Sequence, residues 1–510
     1  MKKSTLCAAL AAVFGAALPA AAWADAPDGS QAPFARVGAS QPAAVEASTT
    51  MLRLPNGQRV GLLGMNYYVA VTDDWGFGPS AYGAAQGHYG GLITFGATAQ
   101  RRWRLSDNTH FAASLYVGAG GGLSSQQVHF GGGLMLRPEI SIRTEVGAWY
   151  VGTSLSYVSF PSGNVRGGGL GVVVGRSLNF NGFLADDVDK PGRTSARTGL
   201  GFDEVTLFGS IYSPRAGSLN RSGEQQTGHM GAAGAELRQY FVPGSWWGIE
   251  AAGAAHGGAD GYMQGMAVAG QDWALGTPNL RVGAELGLGL GGGGNVDTGN
   301  GWLWRAGPTL RWITPWGVSV QMDAGLLEAI SGRFSVSFVR AGLALPLDFG
   351  AIGRETDSGI VREQSMSLGV EHLSRVRFKD GSVDAISPLV LTMVHELSPS
   401  WYGVAQAGSA AWGHAGAYSI GLFGLGVQSP VWQRWRVGAE ALVGAAGGGG
   451  VDVSGGAVAQ GQMWAQWQGE RLRLRAGVGR WRTLRSEASD GQASPLVELS
   501  LGYAYGVLAR

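Results

Sequence analysis

Between residues 134 and 143 the chain alternates without interruption. Leu134, Leu136, Pro138, Ile140 and Ile142 take one parity, and Met135, Arg137, Glu139, Ser141 and Arg143 the other. A helix would scatter both sets around its circumference, whereas an extended strand sends successive side chains to opposite faces. The stretch therefore predicts a strand with one greasy face and one polar face. The same division recurs over 302–312, where Trp302, Trp304, Ala306, Pro308, Leu310 and Trp312 oppose Leu303, Arg305, Gly307, Thr309 and Arg311. It recurs again near the end, with Leu472, Leu474, Ala476 and Val478 against Arg471, Arg473, Arg475 and Gly477. A two-layer sandwich also alternates, but its solvent face needs more charge than the 14% of charged residues present here. A polar interior inside a lipid-facing wall suits the composition better.

The N-terminus points the same way. Lys2 and Lys3 precede an uncharged run over 6–22, and Ala22-Trp23-Ala24 has the small-x-small form of a signal peptidase site. Residues 1–24 are therefore read as a cleaved export signal. Cys7, the one cysteine, lies inside it, so the mature chain is expected to carry no disulfide and no cysteine metal ligand. Basic and acidic residues nearly cancel, which gives no reason to expect a nucleic-acid partner. No later stretch suits a spanning helix. The longest uncharged run, 403–433, is broken by Gln406, Ser409, His414, Ser419 and Gln428. A chain that meets lipid without helices is left with the closed β-barrel, in which every backbone hydrogen bond is made.

An internal ruler divides the chain. Residues 283–297 read GAELGLGLGGGGNVD and residues 438–452 read GAEALVGAAGGGGVD. Trp247 precedes Gly291 by 44 residues, Trp401 precedes Gly447 by 46, and Trp75 precedes the shorter run at Gly120 by 45. This self-similarity marks three diverged copies, and it outranks any single motif. Each copy divides into about eight strands; in the second they fall near 199–213, 228–242, 246–257, 262–275, 279–291, 301–313, 316–329 and 333–347. The expected fold is all-β: a transmembrane antiparallel β-barrel of about 22–24 strands from three diverged repeats of about eight strands. Residues 25–50 are read as a flexible periplasmic segment. The repeats then occupy 51–180, 181–349 and 350–510, the last two with periplasmic links. One large barrel is the leading expectation, because inward Gly287, Gly289, Gly444 and Gly477 would leave a wide lumen that inward loops or a partner must close. Three separate eight-stranded barrels, filled by their own side chains, are the rival.

The connections sort by side. Joins after even strands are tight and flanked by tryptophan, near Trp75, Trp247, Trp273, Trp316, Trp401 and Trp432, as an interfacial aromatic belt would be. Joins after odd strands, such as 215–226 and 485–493, are longer and polar. On this parity both termini are periplasmic and the glycine runs lie at the outer rim. Near the C-terminus, Gly502-Tyr503-Ala504-Tyr505-Gly506-Val507 resembles the assembly signal of Gram-negative outer-membrane β-barrel proteins of the porin-like class, although the chain continues through Leu508-Ala509-Arg510. That resemblance implies an outer-membrane location, contact with outer-membrane lipid and with the barrel assembly machinery, and a periplasmic or secreted partner able to fill the lumen.

Gly287, Gly289 and Gly292 satisfy GxGxxG, yet a dinucleotide fingerprint needs a helix after the turn, and an alternating strand follows here. Glycine at a strand end, allowing a bulge or close approach, is the better reading. Glu285 and Glu440 recur at equivalent positions, as do Asp297 and Asp452 behind the glycine runs, and they are candidate lumen or rim carboxylates for cations. Arg137, Arg143, Arg305, Arg311, Arg471, Arg473 and Arg475 take the polar parity. They form either a basic ladder favouring anions or ordinary ion pairs with Glu139, Glu145 and Glu285. GxSxG, HExxH and a Walker lysine are absent from the sequence, so no catalytic residue, metal ligand or cofactor is expected. The leading functional expectation is a channel for a polar solute, polymer or polypeptide. The alternative is an anchor or scaffold for a surface structure.

Overall fold

The computed structural model describes residues 35–315, 317–347, 357–484 and 491–509. The expected signal peptide, Trp316, residues 485–490 of one predicted loop and residues 350–356 of one link lie outside them. The described chain is almost wholly strand, and alternation translates directly into burial. In Leu134–Val146, Arg137, Glu139, Ser141 and Arg143 are buried while Pro138, Ile140 and Ile142 are exposed. Strands Trp302–Ile313 and Leu472–Thr483 repeat the pattern.

Closure is where the leading expectation gives way. The chain forms three closed barrels of eight antiparallel strands each, not one large barrel. Barrel I runs from strand Ala39–Arg53 to Arg166–Gly182, barrel II from Glu204–Pro214 to Ser335–Pro346, and barrel III from Asp357–Arg377 to Ala493–Ala509. In each, the eighth strand pairs back onto the first: Ala43 with Leu178, Glu204 with Pro346, and Glu371 with Glu498. The N-terminal segment is corrected too, since residues 39–50 belong to the first strand of barrel I. In barrel II the remaining strands are Met230–Val242, Ser245–His256, Met263–Leu275, Thr277–Gly292, Trp302–Ile313 and Ser319–Ala329, within a few residues of the predicted spans.

Inward glycines explain why small barrels form. Gly287 faces Val268 and Met266, Gly289 and Gly444 meet neighbouring backbone, and Gly477 faces Glu498 and Gln462, while large rings on neighbouring strands lie over others. A β-carbon on Gly64 would sit 2.1 Å from the Tyr82 ring, one on Gly270 2.4 Å from Trp246, one on Gly426 2.1 Å from Tyr402, and one on Gly438 2.4 Å from Trp464. Pairing a bare glycine with a neighbouring aromatic lets a tightly curved wall stay filled.

The barrels pack in a cyclic arrangement. The third strand of barrel I (Trp75–Gln86) meets the fifth of barrel II, the third of barrel II meets the fifth of barrel III (Trp435–Gly447), and the third of barrel III (Trp401–Trp412) meets the fifth of barrel I (Thr109–Gly121). Ala81, Ile93 and Phe95 of barrel I, Ala251 and Met263 of barrel II, and Ala445 of barrel III form one shared apolar cluster. At the end opposite the glycine runs, strand Pro191–Thr194 of the first link pairs with residues 357–360, and Arg36–Val37 pairs with it in turn. Exposed Trp75, Trp273, Trp401 and Trp432 lie at this short-turn end. Trp247 departs from the expected belt: it is buried against Phe202, Leu237 and Ile249 at the link.

Candidate functional site

Two features separate this molecule from an empty tube: what fills each lumen, and what the glycine runs touch. Each lumen is apolar toward the loop end. Barrel I buries Phe130, Phe160 and Val165 there, barrel II Tyr262, Val296 and Phe334, and barrel III Phe378, Tyr418 and Val451. Many of these residues come from the odd-numbered loops, which fold inward and close the barrel end. Below each plug lies a polar layer. Every layer is built from the inward parity of its strands, so its charges are buried and must find partners inside.

The candidate arginines all have partners. Arg137 donates to Glu139 at 2.6 Å and to Thr50 Oγ1 at 2.7 Å. Arg143 lies 2.6 Å from Glu46. Arg311 donates to Glu204 at 2.8 Å, Arg473 to Glu363 at 2.6 Å, and Arg475 to Glu440 at 2.6 Å. Arg471, half-buried, donates to the Tyr503 hydroxyl at 2.9 Å. Glu145 pairs with His110 at 3.1 Å instead of with a lumen arginine.

Barrel II holds the densest network. Oxygens of Glu236, Glu250 and Glu285 lie within 4.8 Å of one another. Two guanidinium groups occupy the position a metal would take. Arg305 contacts Glu250 and Glu285, and Arg340 reaches Glu236 at 2.9 Å, Glu285 at 3.1 Å and Asp323 at 2.6 Å. Arg238 joins Glu236 and approaches Glu285 at 3.2 Å. Forked guanidinium donors suit such bridging of carboxylates. Glu285 and Glu440 are thus interior residues in separate barrels. Asp297 and Asp452 stand apart from both, pairing near the loop end with Arg333 at 3.0 Å and Arg377 at 3.2 Å.

Glycines in and near the runs make the junctions between barrels, although the run at 447–450 packs within barrel III, where Gly449 faces the Ala415 oxygen at 2.4 Å. A β-carbon on Gly91 of barrel I would lie 2.5 Å from the Gly293 nitrogen of barrel II, and one on Gly292 2.7 Å from Gly91. Likewise Gly133 faces the Ala410 oxygen at 2.2 Å, and Gly456 faces the Ala254 oxygen at 2.4 Å. Backbone meets backbone at all three seams, so no side chain fits. Gly90 donates to the Gly299 oxygen at 3.1 Å and Gly416 to the Gly131 oxygen at 2.9 Å. Arg221, from the first loop of barrel II, donates to the oxygen of Gly90. Its burial pulls its pKa below the usual guanidinium value, with Asp297 opposing that shift.

Two cross-strand serine–histidine pairs exist, Ser213 with His229 at 3.0 Å and Ser387 with His372 at 3.0 Å. Both involve exposed side chains, and neither histidine has a carboxylate partner among the described residues. In a Ser-His-Asp triad that third group orients the imidazole.

No family model matches the sequence, and no curated protein is similar to it at a significant level. Among solved structures the chain is similar to the ferric enterobactin receptor PfeA of Pseudomonas aeruginosa, at 10% identity and a TM-score of 0.29, covering 92% of this chain and 82% of that one. It is similar also to the siderophore receptor PirA of Acinetobacter baumannii, at 7% identity, a TM-score of 0.27, and coverage of 92% and 81%. A bacterial polysaccharide outer membrane secretin matches at 10% identity and a TM-score of 0.18, with coverage of 92% and 99%. Scores this low leave the fold to rest on the strand pairing itself.

Proposed function

We propose that this chain is an outer-membrane protein in which three sealed barrels form one rigid anchoring platform for the surface made by their loops. The observation that carries this reading is the inversion of polarity across every wall. Charges point into the barrels, while Leu155, Leu286, Leu288, Leu310, Val339, Leu499 and Leu501 point outward and are exposed. An apolar outer surface this extensive has no stable place in water, and lipid is the medium that removes its cost. The tryptophans at the short-turn end support an interfacial position there.

The filled lumens favour the anchor over a channel. Among the described residues, apolar plugs at one end and cross-linked ion pairs below them fill each lumen, and a shared apolar cluster joins the barrels. The role is non-catalytic on this reading, and the partner is whatever the loop surface holds. Planar-bilayer recording of the purified full-length protein tests the proposal. The expected result is a quiet membrane with no stepwise conductance, and reproducible single-channel steps in the wild type would overturn it in favour of a pore.

A further inference from the structure

The interiors of barrels II and III differ at equivalent ladder positions. Glu285 and Glu440 hold the same place in the fifth strand, opposite Gly307 and Gln462 of the sixth. Two residues before those partners stand Arg305 in barrel II and Gln460 in barrel III. Arg340, on the eighth strand of barrel II, lies opposite Asp323 and Ser210. Its counterpart in barrel III is Glu498, opposite Gly477 and Glu371. Both arginines that bind together the barrel II carboxylates are therefore replaced, one by an amide and one by another carboxylate.

The result is an interior short of positive charge. Glu371, Glu440 and Glu498 are each nearly inaccessible, and among the described residues Arg475 is the one guanidinium facing them. Glu440 is well satisfied by Arg475 and by Tyr402 at 2.8 Å and Gln462 at 2.7 Å. Glu371 has only amide partners, Gln406 at 2.8 Å and Gln460 at 2.7 Å. It sits directly across the closing seam from Glu498, where like charges repel. A second observation points into the same space. Gln460 Oε1 and Gln462 Oε1, on side chains more than nine-tenths buried, have no donor among the described residues. Gly477 stands where barrel II has Asp323; a β-carbon there would lie 3.3 Å from Glu498 Oε2 and 3.6 Å from Gln462 Oε1. Glu498 accepts from Gln462 Nε2 at 2.8 Å and from Ser500 Oγ at 2.8 Å, so neutral donors and one shared guanidinium are all that Glu371 and Glu498 have among the described residues, beside amide oxygens that have no donor.

We propose that barrel III binds one divalent cation of the hard, oxygen-seeking class, represented by Ca2+, through Glu371, Glu498 and the amide oxygens of Gln460 and Gln462. Carboxylate and amide oxygens are the ligands such ions prefer. Two positive charges balance the two carboxylates that Arg475 leaves uncompensated. In barrel II, Arg305 and Arg340 do the same work covalently.

Equilibrium dialysis with radioactive Ca2+ tests this on the full-length folded protein in detergent, stripped with chelator and held at pH 8. The wild type is expected to retain one more Ca2+ per chain than Gln460→Arg, which installs a tethered guanidinium where barrel II has Arg305. Ca2+ is expected to raise the melting temperature of the wild type and not that of Gln460→Arg. The double variant Glu371→Gln/Glu498→Gln is expected to lose at least tenfold in Ca2+ affinity, and it decides the matter if Gln460→Arg does not fold. Asp297→Asn, at the loop end of barrel II, is expected to bind as the wild type does. Wild-type protein that retains no Ca2+ overturns the proposal, as does retention by both interior variants at the wild-type level. Stabilisation by acid alone, without a response to Ca2+, overturns it in favour of buried protons.

Discussion

Barrels II and III share a strand plan, a register and a glycine junction, yet they solve the problem of interior charge differently. Barrel II answers its carboxylates with Arg238, Arg305 and Arg340, fixed in the wall and bridging between them. Barrel III surrounds Glu371, Glu440 and Glu498 with Gln406, Gln460 and Gln462 and, among the described residues, a single arginine, Arg475. An ion pair held inside an apolar shell is costly to break, because the surviving partner keeps its desolvation penalty without compensation. An amide costs less to bury and less to remove. The same backbone can therefore carry either a rigid or a yielding interior.

The comparison breaks most visibly at Arg340. Arg340→Ala leaves Asp323 without an arginine and removes a guanidinium that Glu236 and Glu285 share with Arg238 and Arg305, and about 3–5 kcal/mol of stability should be lost. Denaturant titration of the folded fraction measures it, and a loss below about 1 kcal/mol would place the network outside the energetics of closure. Next comes the junction that both barrels share. Gly292 has φ +148° with barrel I backbone against it, so Gly292→Val should cost about 1–3 kcal/mol for the backbone alone. Its signature is easier proteolysis of the loops at the I–II seam with the barrels still folded; an unchanged digestion pattern counts against the seam. Gly438→Ala drives a methyl into the Trp464 ring of barrel III, costing about 1–3 kcal/mol by overpacking. A shift in Trp fluorescence should accompany it, and an unaltered spectrum would mean that the ring does not depend on the glycine. The smallest effect belongs to the exposed Arg333–Asp297 pair, where Arg333→Ala should change stability by about 0–1 kcal/mol. A larger change in the same denaturant titration would mean that this loop does more than cover the plug.

Strand boundaries were legible because period-two alternation is local: Ile140 and Arg143 declare their faces within one stretch of chain. The repeat was legible because GAE and the glycine runs return at fixed spacing. Closure was not. Whether the eighth strand pairs with the first or with the ninth is a long-range choice, and the residues at the seam look the same for either. Inward Gly287, Gly289, Gly444 and Gly477 misled for a similar reason, since the atoms that close in on them, such as Val268, Met266 and Glu498, lie on other strands. Glu371 and Glu498 escaped notice because position-by-position recurrence drew attention to Glu285 and Glu440, whereas Glu498 stands where barrel II has an arginine. The alternation of Val497, Leu499 and Leu501 about Glu498 and Ser500 was the available signal. Interior placement of the arginines could be read from parity, but their partners Glu46, Glu204, Glu250 and Glu363 come from distant strands.

The links between the barrels carry a last consequence. Three separate eight-stranded proteins would meet only as often as their concentration allowed. Joined in one polypeptide, each barrel finds its neighbours at an effective concentration set by a short tether, in the millimolar range for flexible connections. Covalent order also fixes which seat each barrel takes around the ring. A symmetric trimer must repeat every change three times, whereas here a replacement such as arginine by glutamine enters one seat alone. The tether is what allows three bodies of one strand plan to acquire different interiors.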